Sequence, residues 1–299
     1  MNTNRPPRAT FHQLRTLEAV ARLGSITQAA RELHLTQPTV SVQIQELQSA
    51  VGVALLEPAG RGIRLTEAGR LLQQTALQMT ALWRTFEDDL QALQGLERGK
   101  LRIAGVTTTE YFIARWLKQF SDQHPGIDID LSVDNRDAVV RRLERDDTDL
   151  AVMMMPPTAL ALESTPFLDN PLVLIGPCGH PWATRKRLPR QLLNDQRLLM
   201  REPGSGTRLA TEEWLRRHAI HPDARMTLGS NEAIKHAVAA GLGLAVVSRH
   251  ALAADPAQEG LAVLPLEGFP ELRTWQLVWR RDRRLPLAAA AFVRHVQAH

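Results

Sequence analysis

Several polar residues at the start of one predicted helix have the chemistry to read base edges in DNA: Gln37, Thr39 and Gln43. Glutamine can bond to two atoms of an adenine, threonine can bond to several bases, and apolar groups such as Val42 or Pro38 can touch a thymine methyl group. The same helix carries a single charged residue, so its own attraction for phosphate is small. Contacts to the DNA backbone would then fall to flanking residues, and the candidates are Arg31, Arg61 and Arg64.

Two short helices joined by a tight turn would position these side chains. The pattern predicts one helix over residues 26–33, capped by Ser25, and a second that is capped by Thr36 and ends at Gly52. The residues of this pair that we expect at a DNA surface, in addition to Arg31, are Ser25, Thr27, Thr36, Gln37, Pro38, Thr39, Ser41, Val42 and Gln43. An ordinary amphipathic pair inside a larger α-domain is the alternative.

A wing and a long helix follow the helix pair, and another helix, over about residues 11–22, precedes it. Glycines and a proline between apolar ends predict a two-stranded wing over residues 53–65, with Arg61 at its tip. A helix then runs from Thr66 to about Leu96, and its apolar residues form two rows: Leu65, Leu72, Met79, Phe86 and Leu93, then Ala76, Trp83 and Leu90. Such a seam predicts a partner helix, although packing on its own domain is the alternative.

Strands and helices alternate from Lys100 onward, which indicates a parallel α/β sheet. A first unit has predicted strands at 101–106, 127–133 and 150–154, with helices at 110–123 and 136–145. Residues 171–175 cross to a second unit, whose strands are at 198–200, 226–228 and 244–247 and whose helices are at 207–218 and 232–240. A strand at 275–279 and a closing helix at 285–297 return to the first unit. Two lobes joined by two crossings resemble a periplasmic binding protein.

Two loops have side chains suited to binding an anion at the carboxyl ends of these strands. Thr107, Thr108 and Thr109 follow the first strand and precede a predicted helix, so their hydroxyls and free backbone N–H groups should point outward together. The segment PGSGTR in the second lobe adds glycines, hydroxyls and a positive charge, and its candidates are Ser205, Gly206, Thr207 and Arg208. Facing each other, the loops could clamp a small anion above Met154. Simple helix caps, and buried core for Met154, are the alternatives.

Composition narrows the class of protein. A net charge of +4 permits a nucleic-acid partner without demanding one, and a single cysteine, Cys178, excludes an internal disulfide and a multi-cysteine metal site. The spacing of histidines and carboxylates predicts no metal site, no cofactor and no catalytic residues. We expect a cytoplasmic protein, because neither a signal sequence nor an apolar stretch of membrane length is evident.

The first 70 residues resemble the winged helix-turn-helix domain of the LysR-type bacterial transcriptional regulators. The matching positions are Leu14, Leu17, Val20, Ala21, Gly24, Ser25, Ala29, Ala30, Leu33, Gln37, Pro38, Ser41, Gln43, Ile44, Leu47, Gly52, Leu55, Arg61, Leu65, Thr66, Ala68 and Gly69. Three positions depart from the family: Leu56, Gln48 and Pro58 stand where Phe, Glu and Arg are usual. Because that arginine is absent here, contacts to the DNA backbone are expected to depend more on Arg61 and Arg64.

The resemblance implies a DNA-binding domain over residues 1–65, a dimerising linker helix over 66–96 and a two-lobed effector-binding domain over 97–299. It also implies a regulator that binds promoter DNA as a homodimer or tetramer, responds to a small molecule between its lobes and contacts RNA polymerase. The segments REPGSGTR, SNEAIKHAVAAGLG and LPLEGFPELRTW are similar to the subgroup that controls Calvin-cycle carbon-fixation operons, so an anionic metabolite is expected. The rival hypothesis is an enzyme or solute-binding protein whose N-terminal helices only dimerise it.

Overall fold

A computed structural model describes residues 9–60, 62–93 and 99–298, without the side chains of residues 84, 85, 88, 89 and 91–93. The chain forms two compact units, Met1–Glu87 and Asp88–His299. The first has helices α1 (Phe11–Leu23), α2 (Ile26–Glu32) and α3 (Gln37–Val51), strands β1 (Leu56–Ala59) and β2 (Gly62–Leu65), and the start of helix α4 (Glu67–Leu93).

Side-chain caps begin the first three helices, as the sequence predicts for α2 and α3. The hydroxyls of Thr10, Ser25 and Thr36 each accept a hydrogen bond from a backbone N–H of the first helical turn. The turn between α2 and α3 contains His34 at φ 54°, a left-handed conformation that brings the two helices together in few residues. The three helices bury a common core that includes Leu17, Ala29, Val40 and Leu47.

Hydrogen bonds donated by backbone N–H groups of the wing segment join it to the helices. The side-chain carbonyl of Gln48 accepts from the N–H groups of Leu55 and Leu56, at 2.8 and 3.4 Å. In addition, Ile63 N donates to the carbonyl of Gly24 at the end of α1. Gln48, which departs from the family pattern, therefore still holds the first strand of the wing.

The apolar seam of helix α4 is buried at its start and exposed further along. Leu65 precedes the helix and is buried, and Leu72 and Ala76 also pack into the core of the first unit. Further along, Met79, Trp83, Phe86 and Leu90 are exposed. The alternative of packing on its own domain thus holds for the first half of the seam, whereas the described side chains of the second half stay largely exposed, although Trp83 also contacts Phe11 of α1. The predicted end of the helix near residue 96 lies outside the described residues.

The second unit contains one mixed sheet of nine strands among the residues that the structure describes, in the order β4-β3-β5-β11-β6-β9-β7-β8, with β10 also on β6. Its strands are β3 (Gly99–Val106), β4 (Ile127–Asp134), β5 (Leu150–Met153), β6 (Leu162–Pro177), β7 (Arg197–Arg201), β8 (Asp223–Leu228), β9 (Leu244–Ser248), β10 (Leu261–Val263) and β11 (Glu271–Arg280). Its helices are α5 (Ile113–Gln123), α6 (Arg136–Arg145), α7 (Gly206–Arg217), α8 (Asn231–Ala239) and α9 (Leu287–Gln297).

Two long antiparallel strands connect the lobes of this unit. Strand β6 pairs with β11 from Leu162 to Leu172 and then with β9, so it starts in the first lobe and ends in the second. The crossing therefore begins earlier than the predicted residues 171–175. Strands β3, β4 and β5 run parallel in the first lobe, and β7, β8 and β9 run parallel in the second, as alternation of strands and helices predicts.

The sequence prediction placed the start of the helix after β3 too early. A helix over 110–123 was expected, but the structure has a 3₁₀ helix (Thr107–Tyr111) followed by α5 from Ile113. The short strand β10 was not predicted either. Among the described helices, none is long and apolar enough to cross a membrane.

Candidate functional site

The first turn of α3 presents an uncharged polar surface. Gln37, Pro38 and Thr39 are exposed, and Val42 is 51% exposed one turn later. The hydroxyl of Thr27 on α2 donates to Gln37 Oε1 at 3.4 Å, so the two helices share this surface. These groups match the donors, acceptors and methyl contacts that base edges in a major groove require.

Some of the residues predicted to contact DNA form hydrogen bonds within the protein or are partly buried instead. Gln43 is half-buried, and its Oε1 accepts a hydrogen bond from the buried hydroxyl of Thr16. The expectation that Gln43 faces outward is therefore wrong, because α1 covers that side of the helix. Ser25 and Thr36 accept hydrogen bonds as helix caps, and Ser41 is half-buried between the buried Val40 and the exposed Val42.

The flanking arginines differ in their partners. Arg31 is exposed on α2. Arg64 on the wing is 68% exposed and its Nε donates to Glu57 Oε1 at 2.7 Å across the two strands. Arg61 lies outside the described residues. Exposed pairs of this kind add little stability, so Arg64 can exchange Glu57 for a phosphate at small cost.

The three threonines after β3 do not point outward together. Thr109 is fully buried, and its hydroxyl lies where a Cβ on Gly105 would be, without a hydrogen-bond partner among the described residues. Thr107 and Thr108 instead meet the other lobe, where their hydroxyls accept from Arg201 Nη2 and Asn231 Nδ2, each at 3.2 Å. The 3₁₀ turn causes this difference, since it rotates successive residues to different sides.

Arg201, the last residue of β7, links the two predicted loops. Its side chain is only 2% exposed, and its guanidinium contacts Thr107 from the first lobe and Asn231 Oδ1 from the start of α8. Both carboxylate oxygens of Glu202 accept hydrogen bonds from this guanidinium: Oε2 from Arg201 Nε at 2.8 Å, and Oε1 from Arg201 Nη2 at 3.0 Å. A permanent positive charge therefore lies buried between the lobes. The sequence feature that could have identified this buried charge is a single arginine at the end of an apolar strand.

The loop before α7 faces the first lobe across the same cleft. Ser205 caps α7 and, like Thr207, is buried. Gly204 has φ +82°, and a Cβ there would lie 2.5 Å from Asp137 Oδ2 of the first lobe. A Cβ on Gly206 would lie 3.4 Å from Met154 Cε. The predicted juxtaposition of this loop with Met154 is thus present.

Arg208 is placed differently from the expectation. Its Nη1 donates to the backbone carbonyl of Arg201 at 2.9 Å, and its Nε donates to Glu212 at 2.7 Å, so both contacts are within the second lobe. Arg201, and not Arg208, supplies the charge that reaches the first lobe.

The floor of the cleft is polar as well as apolar. The thioether of Met154 accepts from Asn170 Nδ2 at 3.1 Å, and Asn170 Oδ1 accepts from the hydroxyl of Ser248 at 2.6 Å. Beside it, Arg136 donates twice to the carbonyl of Met155, at 3.0 and 2.8 Å. Met155 has φ 136°, a strained conformation for a residue with a side chain. Asn170 and Arg136 were not predicted from the sequence.

A second contact joins the lobes at the start of α8. The hydroxyl of Tyr111 donates to Glu232 Oε1 at 2.6 Å, and Lys235 pairs with both Glu232 and Glu259, at 2.9 and 2.7 Å. Burial, followed by the hydrogen bond to Glu232, raises the pKa of Tyr111 above its ordinary value. Burial works to raise the pKa of Glu232 too, but hydrogen bonds from Tyr111 and Lys235 outweigh it and lower that pKa. The pair is therefore a neutral phenol donating to a charged carboxylate at neutral pH.

Two protein families cover nearly the whole chain between them. The bacterial regulatory helix-turn-helix protein, lysR family, matches residues 11–70, and the LysR substrate binding domain matches residues 94–299. The chain belongs to the LysR family. It is therefore a DNA-binding transcriptional regulator with an effector-binding domain and not an enzyme, which removes the rival hypothesis.

Relatives within the LysR family support the similarity to carbon-fixation regulators. The chain is 41% identical over 291 residues to the HTH-type transcriptional activator CmpR of Synechocystis, covering 97% of this chain and 96% of that protein. It is 42% identical over 283 residues to the RuBisCO operon transcriptional regulator of Allochromatium vinosum, covering 95% and 94%.

A solved relative resembles the two-lobed unit. The regulatory domain of CcmR from Synechocystis PCC6803, in complex with 2-PG, is 39% identical, with a TM-score of 0.65, and the match covers 67% of this chain and 97% of that one. LysR regulators bind promoter DNA and small-molecule effectors, so the surface on α3 and the cleft at Arg201 are this chain's candidates for the two tasks. Among its described residues, no cluster of three or more His, Cys, Asp or Glu is arranged to hold a metal.

Proposed function

We propose that this LysR regulator controls carbon-fixation genes and that a small metabolite anion, bound between its two lobes, adjusts how it holds promoter DNA. The names of its relatives in Synechocystis and Allochromatium vinosum support carbon-fixation genes as the targets. The contact of Arg201 with Thr107 carries the proposal for the effector, because it puts a buried cation where both predicted anion loops meet. Carboxylates and phosphates are the groups that a guanidinium binds best.

The proposed DNA contacts divide between two kinds of residue. Gln37, Pro38, Thr39 and Val42 on α3, together with Thr27, read base edges, and Arg31, Arg61 and Arg64 bind phosphates. Ser25, Thr36 and Ser41 support the surface from its edges. In the cleft, Arg201, Thr107, Thr108, Asn231 and the loop at Ser205–Thr207 surround the anion above Met154.

A homodimer formed through α4 completes the proposed regulator, with domain boundaries at residues 65/66 and 96/97. Its support is the exposed half of the apolar seam and a groove of about 570 Å³ beside it, lined by Phe11, His12, Arg15, Thr80, Trp83 and Glu87. Pairing of dimers into a tetramer and contact with RNA polymerase extend the proposal, and its compartment is the cytoplasm, where bacterial promoter DNA lies.

DNA footprinting with and without 2-PG tests the effector proposal. The effector can act only by binding one arrangement of the lobes more tightly than another. We therefore expect 2-PG to change the length or the bend of the protected region while leaving the site occupied. The matched comparison is the Thr107→Val variant, which removes the hydroxyl facing Arg201 and should need more 2-PG for the same change. An identical footprint at saturating 2-PG would contradict the proposal.

A further inference from the structure

Arg201 is already occupied by an anion from its own chain. Its fork holds both oxygens of Glu202, and its remaining described contacts, Thr107 and Asn231, are neutral. A guanidinium cannot lose its proton, so burial at 2% exposure requires a negative partner. Glu202 supplies that charge, and its side chain, at 20% exposure, lies closer to solvent than the cation does.

We propose that Glu202 is a resident competitor that an effector anion must displace from Arg201. This inference rests on the proposed effector site and adds how that site is regulated. The contacts of Glu202 are two parallel N–H···O bonds, which is the geometry that an effector carboxylate or phosphate would also use. A neutral ligand, or one with a single acceptor, cannot replace both bonds and the charge. Glu202 therefore sets the chemical class of the effector.

Displacement of Glu202 also reaches the other lobe. Glu202 directly precedes the turn in which Gly204 packs against Asp137 on α6, and Ser205 N donates to the carbonyl of Glu202 at 3.2 Å. A change in the position of Glu202 therefore moves a loop that touches the first lobe. Exchange of Glu202 for an effector anion at Arg201 is thereby coupled to the arrangement of the lobes. An effector acts by favouring one such arrangement over another.

Calorimetric titration of the full chain with 2-PG and with inorganic phosphate tests this inference. Glu202→Gln keeps the shape and one acceptor but removes the charge, so we expect it to bind these anions about tenfold to a hundredfold more tightly than wild type. Glu267→Gln makes the same charge change at a carboxylate paired with Arg187 and Arg190 outside the cleft, and it should leave the affinity unchanged. Glu212→Gln frees Arg208 instead, so tighter binding there and not in Glu202→Gln would overturn the assignment to Arg201.

Two further variants guard against a folding artefact. The double variant Arg201→Gln, Glu202→Gln should lose the gain in affinity, because the gain requires the cation. Glu202→Asp keeps the charge but is too short for the same two bonds, so it should show a smaller gain and serves if Glu202→Gln fails to fold. In thermal unfolding, added phosphate should raise the Tm of Glu202→Gln more than that of wild type.

The outcomes separate this inference from the proposed function. If 2-PG binds wild type and Glu202→Gln equally, the role of Glu202 is wrong and the effector proposal stands. If 2-PG does not bind wild type but phosphate binds more tightly to Glu202→Gln, the choice of 2-PG is wrong and the role of Glu202 stands. If neither anion binds any variant, both are overturned.

Discussion

At the residue scale, the proposed DNA-binding surface assigns base reading and phosphate binding to different side chains. Gln37 is exposed and uncharged at the first turn of α3, where a base edge can reach both groups of its amide. Arg64 is exposed on the wing and pairs with Glu57. Under this proposal the two residues affect separate properties of DNA binding: Gln37 affects sequence preference and Arg64 affects salt dependence.

Single substitutions should separate these properties. We expect Gln37→Ala to weaken binding by about 1–3 kcal/mol at one or two base positions and to leave other positions unaffected. Arg64→Ala should weaken every sequence alike and reduce the slope of log affinity against log salt by about one. Fluorescence anisotropy with duplexes that differ at single positions, repeated at several salt concentrations, measures both effects.

Glu57→Gln is the control for the wing. It removes the carboxylate that holds Arg64 at 2.7 Å, so it should strengthen binding to all sequences by a similar factor. If Gln37→Ala and Arg64→Ala caused the same loss on every duplex, the proposed division between the helix and the wing would be refuted.

At the scale of elements, the 3₁₀ helix after β3 and the start of α8 form the polar contact between the lobes. Thr108 pairs with Asn231, and Tyr111 pairs with Glu232, so two residues three positions apart on the 3₁₀ helix meet two successive residues of α8. Lys235, one turn further along α8, pairs with the same carboxylate oxygen of Glu232 at 2.9 Å. The contact thus couples a short turn in one lobe to a helix in the other.

A double-mutant cycle on Tyr111→Phe and Glu232→Gln measures this coupling. The free energy of unfolding should show an interaction of about 0.5–1 kcal/mol, the size of a partly exposed hydrogen bond. Because the pKa of Tyr111 is raised and that of Glu232 is lowered, the coupling should stay constant across neutral pH. Chemical denaturation gives the four values, and Glu267→Gln in place of Glu232→Gln should give no interaction. Additive effects in the first cycle would mean that the bond contributes nothing.

At the scale of the whole molecule, the exposed half of the α4 seam is the feature that one chain leaves incomplete. Phe86 is 51% exposed, and the ring of Trp83 contacts it in a tilted arrangement with ring centres 5.5 Å apart. A second α4 would cover these side chains and would place two DNA-reading surfaces on one duplex. In the proposed dimer, promoter recognition would require both DNA-reading surfaces.

Selection from a random duplex library tests this arrangement. Wild type should enrich a two-fold symmetric motif whose half-sites lie about one helical turn apart. Phe86→Glu places a charge in the seam, so we expect a monomer in sedimentation and weaker retention of single half-sites. Gln74→Glu adds the same charge at an exposed position on another side of α4 and should behave as wild type. A symmetric motif retained by monomeric Phe86→Glu would contradict dimerisation through α4.

Local patterns in the sequence were sufficient for much of this protein. The caps at Ser25 and Thr36, the order of strands and helices and the extent of α6 follow from neighbours within a few residues, where spacing and turn chemistry act directly. The family pattern in the first 70 residues identified the class of regulator, because it combines those local signals at fixed distances.

Only the tertiary structure decided which side chains meet in the cleft and which are covered. Arg201 lies 94 residues from its partner Thr107, and Gln43 is covered by a residue 27 positions away on α1, so neither relation leaves a periodic trace in the sequence. The 3₁₀ turn at Thr107–Tyr111 likewise turned Thr109 inward. The sequence by itself determined the elements and the class of chemistry, because these depend on near neighbours. The charge at the centre of the cleft depends on how the ends of two strands from different lobes are brought together, which only the folded chain specifies.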